Sequence, residues 1–331
     1  MQLIRGLINL NHQADECVAT IGNFDGIHLG HRAIIKKVIA HAKKSNHKSC
    51  VILFEPHPKE VFMGENCPAR ITNFPEKFHQ LEELGVDKLL VLRFNKALYQ
   101  MLAKDFIQNV LIDQLRIQHL VVGDDFQFGY KRQGNYQLLH SEGQGYYTVE
   151  PTPTLLIEDP DKPGEQHRVS STLVRQALAN NKLDFAHTLL ARHYSMKGKV
   201  GYGKQLGRTI GFPTANIALK RIKTSLAGVY LVKAHWLNDD ANGKMNSQWG
   251  VANCGFRPTV AGESFKLEVY LFDINPDLYG VELRVEFYQF LRAEMKFDGV
   301  ESLTNQIQHD VDKAKSLIAK IINITEEKKN D

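Results

Sequence analysis

Cysteine is scarce and dispersed in this chain. Cys17, Cys50, Cys67 and Cys254 form no C-x-x-C pair, so neither a disulfide framework nor a structural zinc set is expected, and a reducing, cytoplasmic setting fits. Long apolar runs are missing as well: no stretch approaches the roughly 20 residues that span a bilayer. The opening Met1-Gln-Leu-Ile-Arg-Gly6 has no apolar core or cleavage-type segment, and no signal peptide is expected. Charge of one sign is also in short supply. Lys and Arg number 41 against 37 Asp and Glu, a formal net charge of +4. That suits anionic small substrates but is too weak for a nucleic-acid footprint, so neither nucleic acid nor membrane is an expected partner. There is no internal repeat, and the only biased segment is the charged tail Glu326–Asp331. What is present suffices for folding: 331 residues, 43% hydrophobic and 24% charged, can build two domains with buried cores.

The first half alternates short apolar runs with helical patterns. Val18–Ile21, Ser49–Phe54, Lys88–Leu92 and His119–Val122 read as strands; the segment after His31, Phe78–Leu84 and Ala103–Leu115 read as helices. Buried runs alternating with helices predict an α/β domain with a parallel sheet, whose ligand lies beyond the carboxyl ends of the strands. The second half runs strand after strand: Val229–His235, Trp249–Asn253, Leu267–Phe272 and Val281–Phe287, with Asn242-Gly243 as a hairpin turn. In the last strand Val281, Leu283, Val285 and Phe287 alternate with Glu282, Arg284 and Glu286, the half-buried antiparallel pattern. A closing helix aligns Leu303, Ile307, Val311, Ala314, Leu317, Ile318 and Ile321 on one face. The expectation is an α/β domain over residues 1–187 and a small antiparallel β-barrel with a terminal α-helix over 188–331.

Gly22-Asn-Phe-Asp-Gly-Ile-His-Leu-Gly-His31 joins the first strand to the first helix. Gly22 and Gly26 permit tight turns there, and His28 and His31, at i and i+3, project together from the first helical turn. A helix start also offers unpaired N–H groups and a positive dipole end. Two imidazole donors at such a place can bind a triphosphate and stabilise charge as the α-phosphorus is attacked. A metal site is the rival, with no third ligand nearby in sequence. In Arg168-Val-Ser-Ser-Thr-Leu-Val-Arg175, the hydroxyls of Ser170, Ser171 and Thr172 suit a helix N-cap, and capped helix starts are also anion sites. Gly198 to Lys204 spells most of a P-loop. Gln205 stands where Ser or Thr is required, and Gly207, Gly211 and Pro213 follow where a helix is required, which excludes that motif.

Gly22–His31 resembles the ATP-binding signature of the nucleotidylyltransferase superfamily, whose H-x-G-H is shared with class I aminoacyl-tRNA synthetases. Arg168–Arg175 resembles the I-S-S-T-x-x-R motif of nucleotidylyltransferases, in which hydroxyls and an arginine hold ATP phosphates. Glu55-Pro-His-Pro-Lys59 and Val121-Val-Gly-Asp-Asp-Phe-Gln-Phe-Gly129 are similar to the amino-terminal module of prokaryotic bifunctional riboflavin kinase/FAD synthetases. Gly198–Asn216, ending in Pro213-Thr-Ala-Asn216, resembles the riboflavin kinase signature. Gly250–Thr259, Leu267-Glu-Val-Tyr-Leu271 and Arg292-Ala-Glu-Met-Lys-Phe-Asp298 continue it in order, departing from the usual residues at Cys254, Phe256 and Tyr270. The resemblance runs from about Val18 to Ala314.

The resemblance implies a Rossmann-like nucleotidyltransferase domain followed by a kinase barrel. The implied enzyme uses ATP twice, first to phosphorylate riboflavin to FMN, releasing ADP, and then to adenylylate FMN to FAD, releasing pyrophosphate, with Mg2+ as cofactor. It implies His28 and His31 as catalytic donors, with Gly22, Phe24, Asp25, Gly30, Arg168, Ser170, Ser171, Thr172 and Arg175 around ATP. Asp125, Phe126 and Phe128 would face ligand or flavin, although taken residue by residue the two phenylalanines read more often as core. In the barrel, Gly201, Gly203, Lys204, Gly207, Arg208, Phe212 and Pro213 would surround ADP, and Thr214 and Asn216 would hold magnesium and phosphates. Asn253, Arg257, Arg292 and Phe297 would lie near riboflavin, and Glu268 would take the proton of its 5′-hydroxyl. By local pattern alone Glu268, between Leu267 and Val269, belongs to a solvated strand face. Two rivals fit less of the chain. A synthetase fragment needs a K-M-S-K-S-like loop that Ser195-Met-Lys-Gly-Lys199 does not supply, and a flavin- or RNA-binding module leaves both ATP-type motifs unexplained.

Overall fold

Strands apolar at every position must be covered on both faces, and the first half builds that arrangement. The computed structural model describes residues 1–10, 16–203, 206–219, 221, 223–237, 245–259 and 262–330, with the side chains of 206, 256–259, 262–264 and 324–330 outside the description. Lys204 and the Asn242-Gly243 turn therefore lie outside the described residues, as do the side chains of Phe256 and Arg257. Chain contacts divide the protein into Met1–Val174 and Arg175–Asp331.

In the first unit, β1 (Gln2–Arg5), β2 (Cys17–Ile21), β3 (Lys48–Glu55), β4 (Lys88–Arg93), β5 (Ile117–Gly123) and β6 (Thr148–Thr152) form one sheet in the order β1-β4-β3-β2-β5-β6. Every pairing is parallel. Alternate strand residues enter opposite cores. Ile21, Ile52, Leu90 and Leu120 meet a wide-turned helix over Phe106–Gln114, which continues α5 (Ala103–Asp105). Val51, Leu53, Leu89 and Val91 meet Ile35 of α1 (Leu29–Ser45) and Leu81 of α3 (Phe74–Glu83). Between these lie α2 (Pro58–Met63), α4 (Lys96–Tyr99) and α6 (Tyr136–Glu142). The edge strands were not anticipated: β1 is short and mixed, and β6 contains Pro151, which a sheet tolerates at its edge. The chain runs from β2 through β3 and β4 to one side, then places β5 and β6 on the other. That switch opens a crevice at the carboxyl ends of β2 and β5.

β7 (Leu156–Asp159) and β8 (Lys162–Arg168) form a separate hairpin. α7 (Ser171–Ala179) begins in the first unit and ends in the second, and α8 (Leu183–Leu190) follows, with residue 187 inside it. The second unit is a closed antiparallel barrel, β10-β13-β12-β11-β14-β9. Its strands are β9 (Tyr194–Gly201), β10 (Thr214–Ala218), β11 (Gly228–Leu237), β12 (Met245–Thr259), β13 (Gly262–Leu271) and β14 (Glu282–Arg292), with α9 (Leu206–Thr209) between the first two. The glycine-rich stretch thus contains strand as well as loop. At Gly198 the Ala218 carbonyl of β10 comes so close that no Cβ fits. Leu267, Val269 and Leu271 of β13 point into the barrel. The opposite face is roofed by α10 (Val300–Asn330), which lays Ile307, Val311, Ala314, Leu317 and Ile318 against Val229, Leu231 and Phe272. Glu268 therefore sits on a covered outer face instead of a solvated one, because its strand alternates between two apolar layers.

Candidate active sites

The first site begins where β2 stops. Gly22 N–H bonds the Ile52 carbonyl at 3.1 Å, holding the loop to the sheet. Asp25 is 2% exposed, and its carboxylate accepts hydrogen bonds from the Ile71 and Thr72 amides at 3.1 and 3.0 Å. Its oxygens thus face the chain before α3 and set the loop's shape. His28 caps α1: its Nδ1 accepts from the His31 amide at 3.4 Å, so the ring proton sits on Nε2. The His28 and His31 rings stack with centroids 3.7 Å apart. Burial, reinforced by His28 and Lys77, holds the His31 pKa well below the usual histidine value. An uncharged His31 beside the positive end of α1 is suited to an anion without adding a buried charge.

The distal motif closes the same cleft. Ser170 Oγ accepts from the Leu173 amide at 3.2 Å, capping α7, while Ser171 Oγ donates to the Asp25 carbonyl at 2.8 Å. Arg168 pairs with Asp125. Gly22, Phe24, His28, Gly30, His31, Asp125, Phe126, Arg168, Ser170 and Ser171 all line one cleft of about 280 Å³. Phe128 lies instead in the core, 5.6 Å from Phe126, and Thr172 is exposed on α7. Arg175 is the first residue of the second unit.

Three features near this cleft had been overlooked. Lys77 is only 1% exposed, and its Nζ donates to the Asn23 carbonyl at 2.9 Å. Burial pulls its pKa down against the opposing effect of Asp25 and Glu55. The sole sequence signal was a charge between Phe74, Phe78 and Leu81 on an otherwise apolar stripe. Arg70 spans both oxygens of Glu55 at 2.9 Å and also holds Glu60, so the Glu55-Pro-His57 motif anchors the loop's flank. His57 caps α2, accepting from the Lys59 amide at 3.1 Å, and burial lowers its pKa to about 4. Third, Phe62 of α2 is 63% exposed, edge-on to Phe94 and Tyr99, at the end of the sheet where ligands lie.

The second site is written across four barrel strands. Gly201 of β9, Asn216 of β10, Glu268 of β13 and Asn253 of β12 are successive register partners; the next rung on the same face, two residues along, holds Thr214, Tyr270 and Val251. Between this face and α10 is a cavity of about 230 Å³ lined by Thr214, Asn216, Asn253, Glu268, Arg292 and Phe297, with Gly207, Phe212, Tyr270 and Leu303. Arg292 Nε lies 3.0 and 2.9 Å from the two oxygens of Asp310, which is 3% exposed, tying α10 down. Thr214 also borders a second cavity, about 310 Å³, with Arg208, Pro213 and Asn275–Tyr279. Gly203 leaves no room for a Cβ beside the Asn216 side chain, nor Gly207 beside the Phe212 carbonyl. A carboxylate between two amides faces an apolar chamber, and a polar chamber opens one residue away. That arrangement can take a proton from a hydroxyl while a phosphate donor approaches from the other side.

Both places suit phosphate chemistry without a covalent intermediate, and the class they define is a two-site transferase. The FAD synthetase family model matches residues 10–172, and the riboflavin kinase family model matches residues 190–318. The bifunctional riboflavin kinase/FMN adenylyltransferase of Haemophilus influenzae is 41% identical over 96% of this chain and 99% of its own length. That of Escherichia coli K12 is 42% identical over 94% of this chain and 96% of its own. This chain belongs to the bifunctional riboflavin kinase/FMN adenylyltransferase family. A crystal structure described as a macrolide-efflux protein from Streptococcus pneumoniae shares the fold at TM-score 0.79 and 27% identity, covering 95% of this chain and 99% of that one. Among the described residues no helix is long and apolar enough to cross a membrane.

Proposed function

We propose that riboflavin is phosphorylated in the barrel cavity and the resulting FMN adenylylated in the cleft of the parallel sheet. The family's two reactions are riboflavin and ATP to FMN and ADP, then FMN and ATP to FAD and pyrophosphate. The observation that carries the kinase assignment is Thr214 at the wall between two cavities, one rung from Glu268. Riboflavin's ring occupies the chamber of Phe212, Tyr270 and Phe297, and ATP lies against Arg208 and Pro213. Glu268 takes the 5′-hydroxyl proton as that oxygen attacks the γ-phosphorus. Thr214, Asn216 and Glu268 supply oxygen donors, the set a hard cation prefers; magnesium bound with the phosphates would neutralise charge developing on them.

In the cleft, His28, His31 and the α1 N-terminus hold the second ATP while the FMN phosphate attacks its α-phosphorus. Phe126 and the Phe62–Phe94–Tyr99 group offer aromatic surface for the flavin. Cys17, Cys50, Cys67 and Cys254 are free and buried, in keeping with a reducing cytoplasm. Purified protein given riboflavin, ATP and magnesium should yield FMN and then FAD when the flavins are resolved chromatographically. Neither product appearing would overturn the proposal.

A further inference from the structure

Imidazole and carboxylate groups also gather away from both sites. His41 of α1, His119 of β5 and Glu150 of β6 bring one ligand atom each within 4.8 Å of one another. His41 is ten residues beyond His31, so on the order of 15 Å along the helix from the nucleotide end. The two rings stack with centroids 4.2 Å apart. Glu150 turns one oxygen, Oε2, toward both: it lies 2.8 Å from His41 Nε2 and 3.5 Å from His119 Nε2. The other oxygen accepts a hydrogen bond from Lys37, which fixes the carboxylate's rotation.

His119 is fixed from the opposite side. Its Nδ1 lies 2.6 Å from Thr148 Oγ1, and that hydroxyl directs its own proton to the Gln118 carbonyl at 3.5 Å. The Thr148 contact holds Nδ1 and fixes the ring's rotation, so that Nε2 is the nitrogen presented to Glu150. That Nε2 is buried and has no hydrogen-bond partner. A carboxylate oxygen and an imidazole nitrogen thus face each other at 3.5 Å, in contact but without hydrogen-bond geometry. Ion pairing to Glu150 reaches Lys37, His41 and His119 alike; a shared cation would in addition engage the His119 nitrogen that makes no hydrogen bond.

Two nitrogens and one carboxylate oxygen are the donors of zinc-class sites. Ligands about 2.0–2.2 Å from a tetrahedral ion stand roughly 3.3 Å apart, and the two nitrogens lie 2.8 and 3.5 Å from the Glu150 oxygen. We propose that His41, His119 and Glu150 form a divalent transition-metal site of the zinc class, completed by water on the open side of His41. On binding, the His41 ring keeps its proton on the solvent-facing Nδ1, so that the Nε2 lone pair of a neutral imidazole joins the ion, and any proton held between Nε2 and Glu150 moves to Nδ1 or solvent. The site would clip α1 to β5 and β6, the three elements that carry His31, Asp125 and Thr152 to the cleft.

The test uses untagged, metal-stripped, full-length protein held in millimolar magnesium to occupy oxygen-donor sites. Zinc is titrated in competition with a chromophoric chelator, and cobalt is followed by its visible absorption. The expected result is one tight equivalent with the intense cobalt bands of a four-coordinate ion, lost in His119→Gln and Glu150→Gln. Thr148→Val keeps every ligand but frees the ring, and should weaken zinc about 10–100-fold. Wild type retaining no more zinc than folded His119→Gln and Glu150→Gln would overturn the proposal. Should those two variants fail to fold, Thr148→Val binding zinc as tightly as wild type overturns it equally.

Discussion

Asp310→Asn is the perturbation that most directly probes how the barrel cavity gets its roof. Asp310 is 3% exposed, is held by Arg292 through Nε at 3.0 and 2.9 Å and Nη2 at 2.8 Å, and accepts from Gln306 at 2.9 Å. Removing one partner of a buried ion pair costs about 3–5 kcal/mol, because the remaining charge keeps its desolvation penalty. The Arg292 side chain is 18% exposed, so water relieves part of that, and the lower end, about 3 kcal/mol, is expected. Ile307 and Leu303, one and two turns upstream of Asp310 on α10, wall the cavity. If a third to all of the loss is felt on riboflavin binding, KM for riboflavin rises roughly 5- to 150-fold. Kinase turnover should fall only a few-fold, since Glu268 stands on β13, and FAD formation from supplied FMN should not change. Urea unfolding gives the stability, and chromatography of flavins from riboflavin titrations gives KM. An unfolding free energy within about 0.5 kcal/mol of wild type, together with an unchanged KM, would refute the claim that this ion pair holds the roof.

Glu268→Gln should slow riboflavin phosphorylation about 10²–10⁴-fold while FAD formation from FMN stays within a few-fold; loss of both reactions refutes separate sites. His28→Ala or His31→Ala should cost about 10²–10³-fold in adenylyl transfer, so that FMN accumulates from riboflavin; undiminished FAD synthesis counts against the imidazole pair. His57→Asn keeps the cap acceptor but carries no titrating proton. Because the folded His57 pKa is lowered to about 4, the unfolded chain takes the proton first as pH falls, and stability present above about pH 6.5 is lost toward pH 4. From pH 7.5 to 5.5 wild type should lose about 1.3 kcal/mol more than the variant; parallel stability curves would rule this out. A fragment starting at Asn180 keeps α8 and the 2.6 Å hydrogen bond from Tyr230 to Asn181, and should make FMN from riboflavin. One starting at Leu189 lacks both and should be measurably less stable by thermal unfolding, so equal midpoints would show that α8 adds nothing to the barrel.

Local periodicity carried the inner strands and α10, because a parallel sheet buried on both faces and a helix buried on one leave unmistakable patterns. It could not reveal β9 and β10. Gly198 and Gly201 read as loop residues, whereas both lie in β9, and at Gly198 the Ala218 carbonyl leaves no room for a Cβ. Motif spacing brought out His28, His31, Ser170 and Ser171, yet Ser171 turns to the Asp25 carbonyl and Asp25 to the 71–72 amides, contacts that no spacing encodes. Lys77, Phe62 and the His41–His119–Glu150 group are invisible for the same reason. Their meaning arises from the order β2-β5-β6 and from helices packed across it, which join residues far apart in the chain. Glu268 shows the converse: alternation placed it outside the barrel, and only α10 shows that outside is not water.

The Ser171–Asp25 hydrogen bond has a consequence for the newly made chain. Its two residues are separated by 146 positions, so the loop bearing His28 leaves the ribosome long before the serine that steadies it. At about 5–20 residues per second the interval is on the order of 7–30 s. Throughout that time the nascent amino-terminal segment can collapse onto its sheet but lacks the last contact of its nucleotide pocket. Competence to hold ATP would therefore arrive about halfway through synthesis, shortly before the barrel strands begin to emerge.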